Sequence, residues 1–202
     1  VVELPSWVPD DEAKPAPMPL LLVQSFVNTW ESDSGVDLLA DRSTARPWLV
    51  EAGLLDPAGR LTEDDLETVR SVREGIRSLL VLNAGGPPPS PAESSALRTL
   101  ARSTWVRPEL AGDGHIELVL EGGDAVDLGR LLLVIRDAQH DGTWARLKAC
   151  HDTECRWAFY DRSHARRGTW CDMAVCGNRA KNRTLRSRRS TGAPAIPEPT
   201  SP

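Results

Sequence analysis

Apolar residues along the chain fall into runs of distinct spacing. Residues 20–30 (LLLVQSFVNTW) form a strongly apolar run that fits a helix or a strand, and its length favours a helix. Over 63–82, Leu66, Val69, Val72, Ile76 and Leu79 recur every three or four residues, the spacing of one buried helical face. Thr62 with Asp65 makes a capping box at its start, with Asp in place of the usual Glu. A shorter helix is expected through Trp48 and Leu49, capped by Ser43 or Thr44 and stopped by Gly53. The run AGGPPPSP at 84–91 ends the long helix, and Ser90 with Pro91 is a good start for another through Leu97 and Leu100. Over 106–120 polar and apolar residues alternate around Asp113-Gly114, which predicts a hairpin. Asp124 is then placed to cap a helix from Ala125 to about His140, with Gly142 as its stop. Its consecutive Leu131, Leu132, Leu133, Val134 and Ile135 predict a helix at the centre of the core.

The elements sum to a mainly α fold with a small β-hairpin. Five prolines and an acidic run make 1–19 an extended arm, anchored by Trp7, and TGAPAIPEPTSP at 191–202 reads as a disordered tail. No internal repeats stand out. No apolar run approaches the roughly 18 residues that a membrane span needs. The first residues lack a basic segment followed by an apolar one, so no signal peptide is expected, and a cytoplasmic protein is.

Charge divides the chain more sharply than its average suggests. Across 202 residues the net charge is −5, yet residues 1–145 carry 12 Lys and Arg against 24 Asp and Glu. Residues 146–202 carry the other 12 Lys and Arg and only 5 acids, a net +7. A positive potential confined to one segment acts within about 10 Å at 0.1 M salt, so that segment is a candidate for a polyanion partner. All four cysteines lie inside it, spaced C-x4-C-x15-C-x4-C as Cys150, Cys155, Cys171 and Cys176. Two close pairs suit a tetrahedral Zn²⁺ site better than an iron–sulfur cluster or redox thiols. His151 and His164 are alternative ligands within the same segment. Four thiolates leave no position for a reactive water, so one such zinc ion is structural, and with it the segment keeps a charge of about +5.

Cys176 runs straight into Gly177-Asn178-Arg179-Ala180-Lys181. With all four cysteines, the Phe159–Ser163 stretch, Arg166-Arg167, Trp170-Cys171 and Met173, this segment resembles the CGNR zinc finger, found at the C-terminus of a large group of bacterial transcription regulators. That finger usually follows an ABATE domain, associated with ligand sensing in stress responses. Phe26-Val27-Asn28-Thr29, the Trp48-Leu49 element and the helix carrying Arg73 and Ile76 look like that domain. The resemblance implies a helical sensor-like domain at 20–143 and a zinc finger at 144–190.

The residues make chemical sense on their own. Gly177 allows a tight turn after the last ligand. From Arg179 to Arg189 there are six cations in eleven residues, with Arg179, Arg183 and Arg186 sharing one helical face. Arg suits bidentate contacts to phosphate or guanine. Arg162, Arg166, Arg167, Asn178, Arg179, Lys181, Arg183 and Arg186 are therefore the candidate contacts to double-stranded DNA. RNA binding, protein docking and a solvated face stay open, and Asn178 suits a helix cap as well as an adenine contact. Trp157, Phe159, Tyr160 and Trp170 suit a mini-core better than base stacking. The first 145 residues show no catalytic triad, phosphate loop or metalloprotease motif, so no enzyme is expected. Asn28, Thr29, Arg73 and Arg77 are expected to face inward, bonded to one another and to backbone or lining a pocket for an anionic or carbonyl-bearing small effector. A homodimer would give so small a finger a second DNA contact. The acidic part is also positioned by its charge to fold back on the finger and compete with DNA.

Overall fold

The computed structural model describes residues 4–9, 12–121 and 126–191, with the side chains of 188–191 outside the description. Its helices are α1 (Leu20–Val27), α2 (Arg42–Glu51), α3 (Glu63–Asn83), α4 (Ser95–Ser103), α5 (Gly129–His140) and α6 (Asn178–Thr191). Strands pair in antiparallel twos: β1 (Trp30–Glu31) with β2 (Val36–Asp37), β3 (Trp105–Leu110) with β4 (Ile116–Glu121), and β5 (Leu147–Ala149) with β6 (Ala158–Tyr160). The expected hairpin is β3–β4, and two further strand pairs join it. No helix among the described residues is long and apolar enough to cross a membrane.

The centre of the core is α1, not α5. All eight residues of α1 are buried, and it packs against α3, α5 and β6. In α5 only Gly129, Leu131, Val134, Ile135 and Ala138 are buried, because Arg130, Arg136, Asp137 and His140 occupy its other side. Five apolar residues in succession still leave a helix with an exposed face when charges flank them at helical spacing. The helix starts at Gly129 rather than at Ala125, because Val126 is drawn into a bridge with Leu55; Asp124 and Ala125 themselves lie outside the described residues, as do 192–202 of the expected tail.

Local signals account for most helix ends. The Thr62–Asp65 capping box forms reciprocally, with Asp65 N–H donating to Thr62 Oγ1 at 3.1 Å and Thr62 N–H to Asp65 Oδ2 at 2.8 Å. On α2 the cap is Asp41 rather than Ser43 or Thr44: its carboxylate accepts from both of their N–H groups, at 2.8 and 3.1 Å. Asp41 has the extended backbone that lets a capping side chain reach the first free N–H groups, whereas Ser43 and Thr44 already lie within the first helical turn. Ser90 exchanges hydrogen bonds with Glu93, closing a turn before α4, which begins only at Ser95. Gly53 and Gly142 take positive φ beyond α2 and α5, as stops should.

The arm does not hang free. Val8 and Ala16 are buried, Trp48 donates to the carbonyl of Trp7 at 3.0 Å, and Tyr160 N–H donates to the carbonyl of Lys14 at 3.0 Å beside β6. The core is continuous across the change in composition near residue 144. Leu147, Ala149, Ala158 and Tyr160 from β5 and β6 belong to the same buried cluster as α1 and α3.

Candidate metal centre and basic helix

The first cysteine pair sits on a turn that leaves β5 and re-enters β6. Cys150 N–H donates to the carbonyl of Trp157, while Cys155 and Arg156 N–H both donate to the carbonyl of Asp152, each at 2.9 Å. Arg156 takes φ +51°, a left-handed conformation rare for a residue with a Cβ. The second pair sits on a turn through Met173–Gly177, capped by Asp172, whose carboxylate accepts from Ala174 and Val175 N–H at 2.6 and 3.1 Å. This turn runs into α6 with no linker. The φ of Gly177 is not positive, and a Cβ there would stand 2.5 Å from Sδ of Met173, an exposed side chain free to shift. The turn after the last ligand is therefore made without the left-handed conformation that only glycine adopts readily.

These two turns bring Cys150, Cys155, Cys171 and Cys176 together, with all four sulfur atoms within 4.8 Å of one another. Sγ of Cys155 and Cys171 are 3.6 Å apart, and Sγ of Cys171 and Cys176 are 3.7 Å apart. A zinc tetrahedron with Zn–S near 2.3 Å has S–S edges of about 3.8 Å, so the donor set fits a single zinc ion. Held only by one another's protons, the thiols divide. Cys150, accepting from Cys155 and Cys171, is held below the ordinary thiol range, and Cys155, donating to it, is pushed above that range. A dication lets all four ionise and releases the protons. The set is complete without histidine: His151 Nε2 instead lies 2.7 Å from the carbonyl of Ala84, just past α3. Trp157 and Trp170 pack on the cysteines as the expected mini-core, Phe159 is buried, and Tyr160 joins the core of the helical body instead.

A buried ion pair shapes the loop between the cysteine pairs. Lys148 Nζ donates to Asp161 Oδ2 at 2.8 Å and to the carbonyl of Arg166 at 2.6 Å. Asp161 also accepts from Ser163 and Gly168 N–H, and a Cβ on Gly168 would stand within 2.9 Å of its carboxylate. Burial works to raise the Asp161 pKa, but Lys148 and these N–H groups outweigh it and hold the carboxyl well below its ordinary range. Sequence reading gave neither residue a role. Their signal is a basic side chain on β5 and an acidic one just past β6, brought together once the strands pair.

The cations expected to meet DNA separate into two sets. Arg179 is held by both oxygens of Asp33, at 2.8 and 2.9 Å, in the turn between β1 and β2. Arg183 donates to the buried carboxylate of Asp152 at 2.9 Å and lies 3.7 Å from Glu154. Asn178 donates to the carbonyl of Ala174 at 2.7 Å, joining the metal-binding turn to α6. Arg162 donates to the carbonyl of Pro15 at 2.8 Å. Arg166, Arg167, Lys181 and Arg186 make no side-chain bond or ion pair among the described residues. Lys181 and Arg186 are both exposed. Arg179 and Arg183 thus fix α6 to the body, and Asp33, Asp152 and Glu154 are the partners that sequence reading missed.

The four inward-facing polar residues are buried, and each has internal partners. Arg73 forms a bidentate pair with Asp37, at 2.6 and 3.0 Å, and donates to Thr29 Oγ1, which in turn donates to the carbonyl of Phe26. Arg77 donates to Glu74, to the carbonyl of Val27 and across to the carbonyl of Arg156, and its guanidinium lies 5.0 Å from the centre of the Trp30 ring. Asn28 exchanges two hydrogen bonds with the backbone of Ala158, at 2.8 and 2.9 Å, as a strand partner would. Asn28 and Trp157 also donate to Glu12, whose carboxyl is pushed above its ordinary pKa by burial. These bonds run between α1, α3, the arm and the metal-binding turns.

No curated protein matches the chain. Residues 146–189 match the CGNR zinc finger, which with the four-cysteine cluster makes this segment a zinc finger with one structural zinc ion. Residues 21–149 match the family ABATE, described as "Putative stress-induced transcription regulator". The chain belongs to the ABATE family and carries a CGNR zinc finger at its C-terminal side.

Proposed function

We propose that this protein is a non-enzymatic transcription regulator that binds double-stranded DNA at the nucleoid in the cytoplasm. The observation that carries this reading is the join at Cys176: the last thiolate is followed at once by α6, so the zinc ion fixes the direction of a helix bearing the exposed cations Lys181 and Arg186. Arg162, Arg166 and Arg167 add three cations from the loop between the cysteine pairs. The ion supplies shape rather than chemistry. Lys148 and Asp161 hold the loop, Arg179 and Arg183 hold the helix, and the remaining cations meet phosphate. Control by a small effector acts through the seam. Asn28 and Arg77 bond directly to the backbone of Ala158 and Arg156 beside the first metal-binding turn, so a ligand that displaces them loosens the finger.

Competition binding tests the partner. Zinc-loaded full-length protein is titrated against a labelled duplex pool in the presence of unlabelled duplex, single-stranded DNA or structured RNA of equal length. The reading requires duplex DNA to be the strongest competitor. Stronger competition by RNA, or no binding to any of the three, overturns it.

A further inference from the structure

The hairpin β3–β4 stands out from the rest of the fold. Trp105, Leu110 and Ile116 are 69%, 68% and 66% exposed, and neither strand pairs with a third among the described residues. An isolated two-stranded hairpin is marginal in water, so its exposed apolar side chains call for a partner. Register shows how they are arranged. Val106 pairs with Leu120, Pro108 with Leu118 and Leu110 with Ile116, which places these six apolar residues on one face. Trp105, Arg107, Glu109, Glu117, Val119 and Glu121 share the other, where Arg107 pairs with Glu109 and Glu121. Near the base, Leu118 and Leu120 are half-buried, while Leu110 and Ile116 toward the tip are bare.

The two edges of the hairpin differ. Ala111 N–H donates to the carbonyl of His115, which sets the alternation of the ladder. By that alternation Val106, Pro108 and Leu110 turn their main-chain groups outward on β3, and Ile116, Leu118 and Leu120 do so on β4. Pro108 has no N–H, so the β3 edge is blocked. On β4 each outward residue has both an N–H and a carbonyl to offer.

We infer that β4 is a dimerisation strand, pairing antiparallel with β4 of a second copy to make a four-stranded sheet. Antiparallel pairing of β4 with itself puts a two-fold axis at the centre of each register, and side-chain charge decides which register forms. Centred on Leu118, the pairing sets Ile116 opposite Leu120, Glu117 opposite Val119, and Glu121 opposite His115 of the other copy. Slipping the strands by two residues places Glu117 opposite Glu121 in one direction and opposite Glu117 in the other, and like charges directly opposite are destabilising. Charge therefore selects one register. A two-fold axis through it keeps both apolar faces on the same side, where the bare Ile116 of each copy lies beside the other's Leu120.

Light scattering on the full-length zinc-loaded protein tests the inference, because it reads mass without regard to DNA. The expected result is a dimer at about 10 μM that becomes monomeric in Ile116→Lys, with helical circular dichroism and zinc content unchanged. Since Ile116 is exposed, that variant should fold, and Leu110→Lys provides an independent one. His115→Glu should weaken the dimer at least tenfold by placing like charges opposite Glu121, while His115→Lys should leave it intact. A monomer at 100 μM, or a dimer indifferent to both Ile116→Lys and Leu110→Lys, overturns the inference.

Discussion

The helical body buries α1 on every side, and apolar contact with α3 and α5 is enough to define its interior. Around the cysteines the zinc finger has no comparable interior. Three buried cysteines with Trp157, Trp170 and Cys171 form its small cluster, and its loops are set by the Lys148–Asp161 pair and by Asp152. The difference shows how one chain can contain two kinds of order. A core made of side chains holds under most conditions, whereas a fold made of thiolates and ion pairs depends on metal, pH and salt. The turn between β1 and β2 joins the two, since Ser32 donates to the carbonyls of Glu154 and Cys155 and Asp33 grips Arg179.

Loss of the metal should separate the two regions most strongly. Structural zinc contributes about 10–16 kcal/mol of apparent binding free energy in small modules. Cys176→Ser, or chelation, should therefore abolish amide protection over 161–187 while α1 and α3 keep theirs, as read by hydrogen exchange. Loss of protection in α1 to the same extent would erase the distinction. Breaking the buried ion pair should come next. Lys148→Ala leaves Asp161 buried without its cation and should cost about 3–5 kcal/mol in denaturant unfolding. The same pair makes the finger acid-sensitive. Because the Asp161 pKa is lowered on folding, its contribution is complete above the ordinary carboxylate value near 3.9 and is lost as pH falls through the folded value. Asp161→Asn should flatten that part of the stability–pH curve. The smallest effect is expected at the junction. Asp33→Asn removes the solvent-exposed partner that holds Arg179, loosens the docking of α6 and should weaken duplex binding by about two- to fivefold at low salt, with little difference at high salt, where the pair is screened. Tighter binding would instead make Arg179 a phosphate contact that Asp33 masks.

Legibility in the sequence followed the range of the interactions. The capping box at Thr62, the hairpin about Asp113-Gly114 and the four cysteines are local patterns, and the structure bears out each of them. The inward turn of Asn28, Thr29, Arg73 and Arg77 was also readable, because a polar residue on an apolar helical face has nowhere else to point. What they bond to was not: Ala158 and Arg156 lie 130 and 79 residues away, and only the packed chain brings them close. The roles of Arg179 and Arg183 were hidden for the same reason. Helical spacing put them on one face, but whether that face met solvent or Asp33 and Asp152 depended on how α6 docks. The misplacement of α5 at the core centre came from counting apolar residues without weighing the charges beside them.

The central claim is that zinc holds a basic surface against DNA, and the salt dependence of binding tests it most directly. Fluorescence anisotropy of zinc-loaded protein on duplex DNA between 50 and 200 mM salt should give a log–log slope of about −4 to −5, the release expected for about five neutralised phosphates. In the double variant Lys181→Gln, Arg186→Gln the slope should become shallower by about 2. An unchanged slope with undiminished affinity would contradict the account.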